Sequence, residues 1–258
     1  MTSPDREWVV SIEKGKKSEF DAQTLGRPEL LTGAPPGHFS LFLASSNPGK
    51  LREFCEAAAA RQVTVAALPG FADLPVCVED GNTFEENARK KAILYSRNSP
   101  GQVFADDSGI CVDVLDGAPG VYSARFAGPQ ATDQQNNQRF LEEIHRVEAA
   151  HRAQAGASPR PHALCNRSAH YICVIALAKA ERVLTVVEGR ADGIVIDEPR
   201  GTGGFGYDPY FFYPPLGKTF AELHPEEKFA VSHRGSAFRK LLDFLVVTHF
   251  EVPRASRP

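Results

Sequence analysis

An α/β fold is what this sequence predicts, and two observations carry the prediction. Short apolar runs of strand type, Phe39 to Ala44, Gln62 to Leu68 and Val103 to Ala105, are separated by stretches with helical periodicity. Further on, Ala169 to Lys179 and Arg182 to Gly189 form the clearest strand pair in the chain, joined by a short polar turn. The 258 residues have room for one large domain or two small ones, and one domain with appended segments is the expected organisation. Hydrophobic residues at 42% and charged residues at 24% are ordinary globular values, and a net charge of −3 supplies no general field for attracting nucleic acid. A nucleic-acid binder would need a local basic patch. The five cysteines, Cys55, Cys77, Cys111, Cys165 and Cys173, are odd in number and show no CxxC spacing, so they read as reduced thiols in a cytoplasm. No basic-then-apolar signal pattern opens the sequence, and its longest apolar run, Tyr171 to Ala178, is too short to span a bilayer. A soluble, cytoplasmic protein is expected.

Residues 1–37 are polar, charged and closed by Gly33-Ala34-Pro35-Pro36-Gly37, so they read as an extension, poorly ordered or loosely docked, in which Trp8-Val9-Val10 is the one candidate strand. A main domain over 38–250 and a tail at 251–258 complete the expected division. The first buried strand, Phe39 to Ala44, runs straight into Ser45-Ser46-Asn47-Pro48-Gly49-Lys50 and the helical pattern LREFCEAAAAR. Free N–H groups at a helix start, hydroxyl donors and the Lys50 charge together suit a triphosphate; a plain Ser/Asn helix cap is the alternative, and the spacing is not that of a P-loop. After the strand Gln62 to Leu68, a loop from Phe71 to Asn82 carries Glu79 and Asp80. Thr83 and Glu86 have capping-box spacing and open a helix to about Arg97, with Asn87 and Lys91 on one face.

The stretch Val103 to Gly128 carries the most chemistry. A buried strand end at Val103 to Ala105 delivers Asp106 and Asp107 into a Ser-Gly turn, and a second short strand follows from Ile110 to Val114. Two adjacent carboxylates at a strand mouth need a cationic partner, for which a magnesium ion is the candidate, or else form an Asx turn capping the strand. Gly117-Ala118-Pro119-Gly120 forces a tight irregular loop ahead of Tyr122-Ser123-Ala124-Arg125. Thr132 to Ala150 reads as a structural helix with Gln135 at the capping-box position, and 151–168 as a surface loop whose basic residues are solvated. Asp192 to Asp197 adds a third strand to the Ala169 to Gly189 pair, as in a meander. Four glycines then surround Phe205 in Gly201 to Gly206, ahead of Tyr207 and Asp208, a loop suited to wrapping something flat such as a base. The last part brings Lys218, Glu222, Lys228 and Ser232-His233-Arg234-Gly235, with a core-facing helix to about Thr248 that begins at His233 and Arg234.

In order, SSNPGK, TFEENARKKA, ADDSGICVDVLDGAPGVYSARFAG, GTGGFGYDPYFF and EEKFAVSHRG resemble the Ham1/RdgB-like family of inosine triphosphate pyrophosphatases, the non-canonical purine NTP pyrophosphatases, from about Phe39 to Leu245. The resemblance implies an elongated α/β fold with a central mixed sheet flanked by helices and a cleft between two lobes. It also implies a homodimer and Mg²⁺-dependent hydrolysis of ITP, dITP and XTP to the monophosphate and pyrophosphate. Residue by residue, it places Ser45, Ser46, Asn47, Pro48, Gly49 and Lys50 on the phosphates, with Lys91 pointing into the same cleft. Asp107 becomes catalytic acid and metal ligand, Asp106 its support, Glu79 a second metal ligand with Asp80 as the neighbouring choice, and Ser108 a substrate contact. Phe205, Gly206, Tyr207 and Asp208, with Lys228, His233 and Arg234, form the nucleoside pocket. The residues and the resemblance agree on one chemistry, in which a carboxylate orients water at the α-phosphorus and lysines take up charge on the departing pyrophosphate. No serine or cysteine with a matched histidine stands out as a covalent nucleophile. A non-catalytic purine-nucleotide sensor is the competing reading; it would lack the acidic turn, which this sequence keeps.

Overall fold

The computed structural model describes residues 39–250 apart from 60, 62, 98 and 155–165. The expected extension over 1–37, its Trp8 strand, the tail at 251–258 and Cys165 lie outside the described residues. One mixed sheet of seven strands is the centre, in the order β2-β1-β3-β4-β5-β6-β7. Along the chain come β1 (Phe39–Leu43), α1 (Pro48–Ala59), β2 (Val63–Ala67), α2 (Phe84–Ser96), β3 (Gln102–Val112), α3 (Asp133–Gln154), β4 (Ser168–Lys179), β5 (Arg182–Val195), β6 (Phe211–Tyr213), β7 (Lys218–Thr219), α4 (Pro225–Val231) and α5 (His233–Phe250). Strand β1 is parallel to β2 and β3, as two strand-helix units in succession require, and every pairing from β3 to β7 is antiparallel.

Period-two alternation along β3 and β4 gives the sheet two different faces. On one, Phe104, Cys173, Ile175 and Leu177 pack with Phe54 of α1 and Phe238, Leu241, Leu242 and Leu245 of α5. Phe54 meets Phe104 edge-on at 5.1 Å and Phe238 at 5.1 Å, which locks α1 and α5 over the same strands. On the other face, Val103, Ala105, Val174 and Ala176 pack with Phe84, Ala88, Ala92 and Tyr95 around α2. A third cluster gathers Ile110, Val112, Phe140 and Ile144 of α3, Tyr171, Tyr207, Phe211 and Phe220.

Three expectations are corrected. Asp106 to Gly109 form no turn: β3 runs unbroken for 11 residues, because β4 pairs with it continuously from Val103↔Ala178 to Val112↔Ala169. The segment Asp192 to Asp197 is no separate strand; β5 continues through it to Val195. At the start of the 151–168 stretch α3 persists to Gln154, and Arg167 is not solvated but paired with Glu148 and Asp197. The capping boxes at Thr83 and Thr132 formed as expected, with Glu86 N–H donating to Thr83 Oγ1 and Gln135 N–H to Thr132 Oγ1.

Candidate active site

Strand β1 ends early against β3. Its last tie is Ala44 N–H to the Phe104 carbonyl at 2.9 Å, and beyond it β3 runs on alone on that side until Ser123 Oγ accepts from Ile110 N–H at 3.0 Å. Residues 105–109 therefore lie in a gap in the sheet, between the end of β1 and the 3-10 turn Gly120–Arg125. Asp106, Asp107 and Ser108 occupy that gap. Alternation sends Asp106 and Ser108 to the α1/α5 face and Asp107 to the α2 face.

On the α1/α5 face the β1-to-α1 turn brings Lys50 Nζ to 2.8 Å from Asp106 Oδ2. The N–H groups of Gly49 and Lys50 donate to Asn47 Oδ1 at 2.8 and 3.1 Å, and Asn47 N–H donates to Ser45 Oγ. The turn is thus an Asn-capped helix start that also aims a lysine into the gap. Ser108 Oγ donates to Asp106 Oδ2 and accepts from Arg234 Nη2, each at 3.2 Å. Glu53, one turn along α1, receives Arg234 Nη1 at 2.5 Å and Lys228 Nζ at 2.9 Å, while Lys228 also reaches Asp208 Oδ2 at 2.7 Å. Phe205 covers this charged floor, with Lys228 and Arg234 lying 5.1 and 5.2 Å from its ring centre. Burial alone would raise the Asp106 carboxyl, but Lys50, Arg234 and Lys91 outweigh it and hold it below the usual carboxylate range. Glu53 is lowered in the same way, burial being outweighed by Arg234 and Lys228.

On the α2 face Asn87 Nδ2 donates to Asp107 Oδ2 at 3.1 Å, and Lys91 Nζ lies 3.3 Å from Asp107 Oδ1 and 2.8 Å from Glu79 Oε2. Burial raises the Asp107 carboxyl, and Lys91 and Asn87 offset this only in part. Among the described residues no three His, Cys, Asp or Glu side chains stand together as a ready-made metal cage. Asp107 and Glu79 nevertheless fit a hard divalent cation. They are two oxygen donors flanking one ammonium, a corner already built to hold positive charge, and Mg²⁺ is commonly bound by one or two carboxylates completed by water and phosphate oxygens. Asp80 points elsewhere, to Lys90 on the surface.

The structure brings together Lys50, Asp106, Ser108, Phe205, Asp208, Lys228 and Arg234 on one face, and Glu79, Lys91 and Asp107 on the other. Ser46 and Pro48 are exposed on the turn. Tyr207 turns away: its hydroxyl donates to the Ser123 carbonyl at 2.8 Å and its ring packs 4.8 Å from Phe140, so Phe205 alone of the two loop aromatics faces the charged floor. His233 is buried and stacked 4.5 Å from Tyr171, and burial, then Arg234 and Lys228, keep its imidazole neutral. Its Nδ1 and Arg234 Nε, like Asp106 Oδ1, are buried without a partner among the described residues. Sequence reasoning passed over Glu53, although a glutamate one helical turn from Lys50 was a readable signal. It also missed Arg125, whose Nη2 donates to the Glu79 carbonyl at 3.0 Å and so fixes that loop.

The model of the Ham1 family matches residues 41–244. A dITP/XTP pyrophosphatase of Geobacter sulfurreducens is 44% identical over 205 residues, covering 80% of this chain and 96% of the relative. One of Geobacillus kaustophilus is 44% identical over 201 residues, covering 78% of this chain and 91% of the relative. Among solved structures, a HAM1 protein from Coxiella burnetii aligns with a TM-score of 0.67 at 37% identity, over 81% of this chain and 99% of that one.

Proposed function

The chain belongs to the Ham1 family, and from that premise we propose that it is a nucleoside triphosphate pyrophosphohydrolase acting on the non-canonical purines ITP, dITP and XTP. The single observation that carries this reading is the gap in the sheet beside β3, where Asp106 with Lys50 on one face and Asp107 with Lys91 on the other stand within one dipeptide. A triphosphate laid across the gap meets a lysine on each side, and its base reaches Phe205 on the α1/α5 face.

In the proposed reaction, water attacks the α-phosphorus, the α–β phosphoanhydride bond breaks, and Asp107 takes the proton from the attacking water. Lys50 and Lys91 neutralise charge growing on the departing pyrophosphate. Asp106, ionised by its salt bridge, holds Lys50 in place. The divalent cation is proposed to be Mg²⁺, held by Asp107 and Glu79; when bound it would neutralise the phosphate oxygens. Phe205 stacks on the purine, and the open Arg234 Nε–H offers a donor to the 6-oxygen that inosine and xanthine carry and adenine lacks. The further parts of the proposal are a homodimer, a cytoplasmic location, and a catalytic domain over 38–250 that works without the 1–37 extension.

Pyrophosphate release from a panel of nucleoside triphosphates, with Mg²⁺ and with it chelated, tests the reading. Turnover of dITP and XTP well above ATP, lost on chelation, is the expected result. Release of orthophosphate instead, or equal turnover of every nucleotide, would overturn it.

A further inference from the structure

The loop that carries Phe205 is closed by a turn of its own, Asp208 N–H donating to the Phe205 carbonyl at 3.4 Å, and is held from outside as well. Within the loop, Phe205 N–H donates to Asp208 Oδ2 at 2.8 Å. The next residue is gripped from outside by the first turns of α3. Gly206 N–H donates to Asp133 Oδ2 at 2.7 Å, and Asn137 Nδ2 donates to the Gly206 carbonyl at 3.0 Å. Asp133 and Asn137 are four residues apart and share one face of the helix, so together they engage both polar groups of a single residue. Gly206 has φ of 61°, a left-handed geometry open to glycine, and the two bonds from α3 add to the loop's own turn in holding it there. Asn137 Oδ1 is buried with no partner among the described residues, so the Gly206 carbonyl is the contact that orients the amide.

What the grip sets is the position of Phe205. Its ring rests on Gly49, where an added Cβ would lie 3.1 Å from Phe205 Cδ1, and it lies over Lys228 and Arg234. A ring so confined stacks on a ligand only if the backbone beside it keeps its angle. Asp133 and Asn137 touch none of the charged groups in the gap.

We propose that Asp133 and Asn137 are positioning residues for base recognition: by clamping Gly206 they pre-set the Phe205 ring face against which the purine stacks. The inference rests on the purine-pyrophosphatase reading above. Pre-ordering this loop removes an ordering cost from substrate binding, so its loss belongs in KM and not in the chemical step.

The test is steady-state kinetics on dITP with the full chain, as wild type, Asp133→Ala, Asp133→Asn, Phe205→Ala and the Phe205→Ala/Asp133→Ala double variant. Asp133 is an exposed side chain at a helix start, and unchanged thermal midpoints would show that the variants fold. Asp133→Ala is expected to raise KM roughly tenfold, the size of one lost charge-assisted hydrogen bond, with kcat nearly constant. Asp133→Asn keeps an acceptor oxygen and should restore most of the loss. In the Phe205→Ala background Asp133→Ala should cost almost nothing further, because the clamp acts through that ring. An unchanged KM in Asp133→Ala, or the same rise with and without Phe205, would overturn the proposal while leaving the pyrophosphatase reading intact. Absence of dITP turnover by the wild type would overturn that reading, and this one with it.

Discussion

Asp106 and Asp107 are adjacent in the chain, yet they meet different lysines on opposite faces of the sheet, and their carboxyls are pushed in opposite directions. Strand alternation is the cause, so the two side chains do separate work: Asp106 stays charged and fixes Lys50, while Asp107 faces Lys91 and Glu79. Behind Asp106 stands Glu53, shared by Lys228 and Arg234 in a buried position. Removing one partner of a buried ion cluster leaves uncompensated charge, so Glu53→Ala is expected to lower the unfolding free energy by roughly 3 kcal/mol in chemical denaturation. Glu53→Gln gives a pH signature. Because the folded carboxyl is held below its ordinary value of 4.5, its stabilisation is present above that pH and is lost as pH falls through the lowered value. The gap in thermal midpoint between wild type and Glu53→Gln should therefore be wide at neutral pH and narrow progressively below about 4.5; a gap independent of pH would count against the ionised bridge.

Among the elements, β3 decides the geometry, and it depends on a glycine. A Cβ on Gly109 would lie 2.4 Å from the Gly120 carbonyl oxygen and 2.4 Å from Ser123 Oγ, so the 3-10 turn closes the far side of the gap because position 109 has no side chain. Gly109→Ala is expected to destabilise by about 1–3 kcal/mol, the range for overpacking, and to cut turnover by spreading the gap; unchanged stability would show that the turn yields freely. This strand is also where the sequence misleads. Asp, Ser and Gly are depleted in strands, so Asp106 to Gly109 read as a turn, and only the partner β4, more than 60 residues away, holds them extended. The same override carries β5 through Gly189, where an added Cβ would lie 2.1 Å from the His233 carbonyl oxygen: that glycine lets α5 approach and does not end the strand. By contrast, α2 and α3 were legible because their caps are local. The residues of the site were legible as a set of charges, but neither the gap they line nor which faced which was, since the side of the sheet that a residue takes depends on register with a distant strand. Tyr207 shows this well: the distant Ser123 carbonyl, which accepts its hydroxyl, and the packing of Phe140 on α3 draw it inward.

For the whole molecule, the family match begins at residue 41, and among the described residues the site begins at Ser45. A chain starting at Gly37 is therefore expected to fold and to keep kcat within about twofold, since segments of such composition contribute little to a core; loss of activity on truncation would assign the extension a role in the domain. The central claim is that this domain cuts the α–β bond with Asp107 as the acting carboxylate in a gap between two lysines. Asp107→Asn keeps the shape and the Asn87 contact but removes the charge and basicity. Single-turnover pyrophosphate release from dITP, measured beside equilibrium binding of a non-hydrolysable dITP analogue, tests the claim directly. The account predicts release slowed by roughly 100-fold or more, the scale of a lost general base, with binding changed by much less. Near-normal release in Asp107→Asn would contradict it.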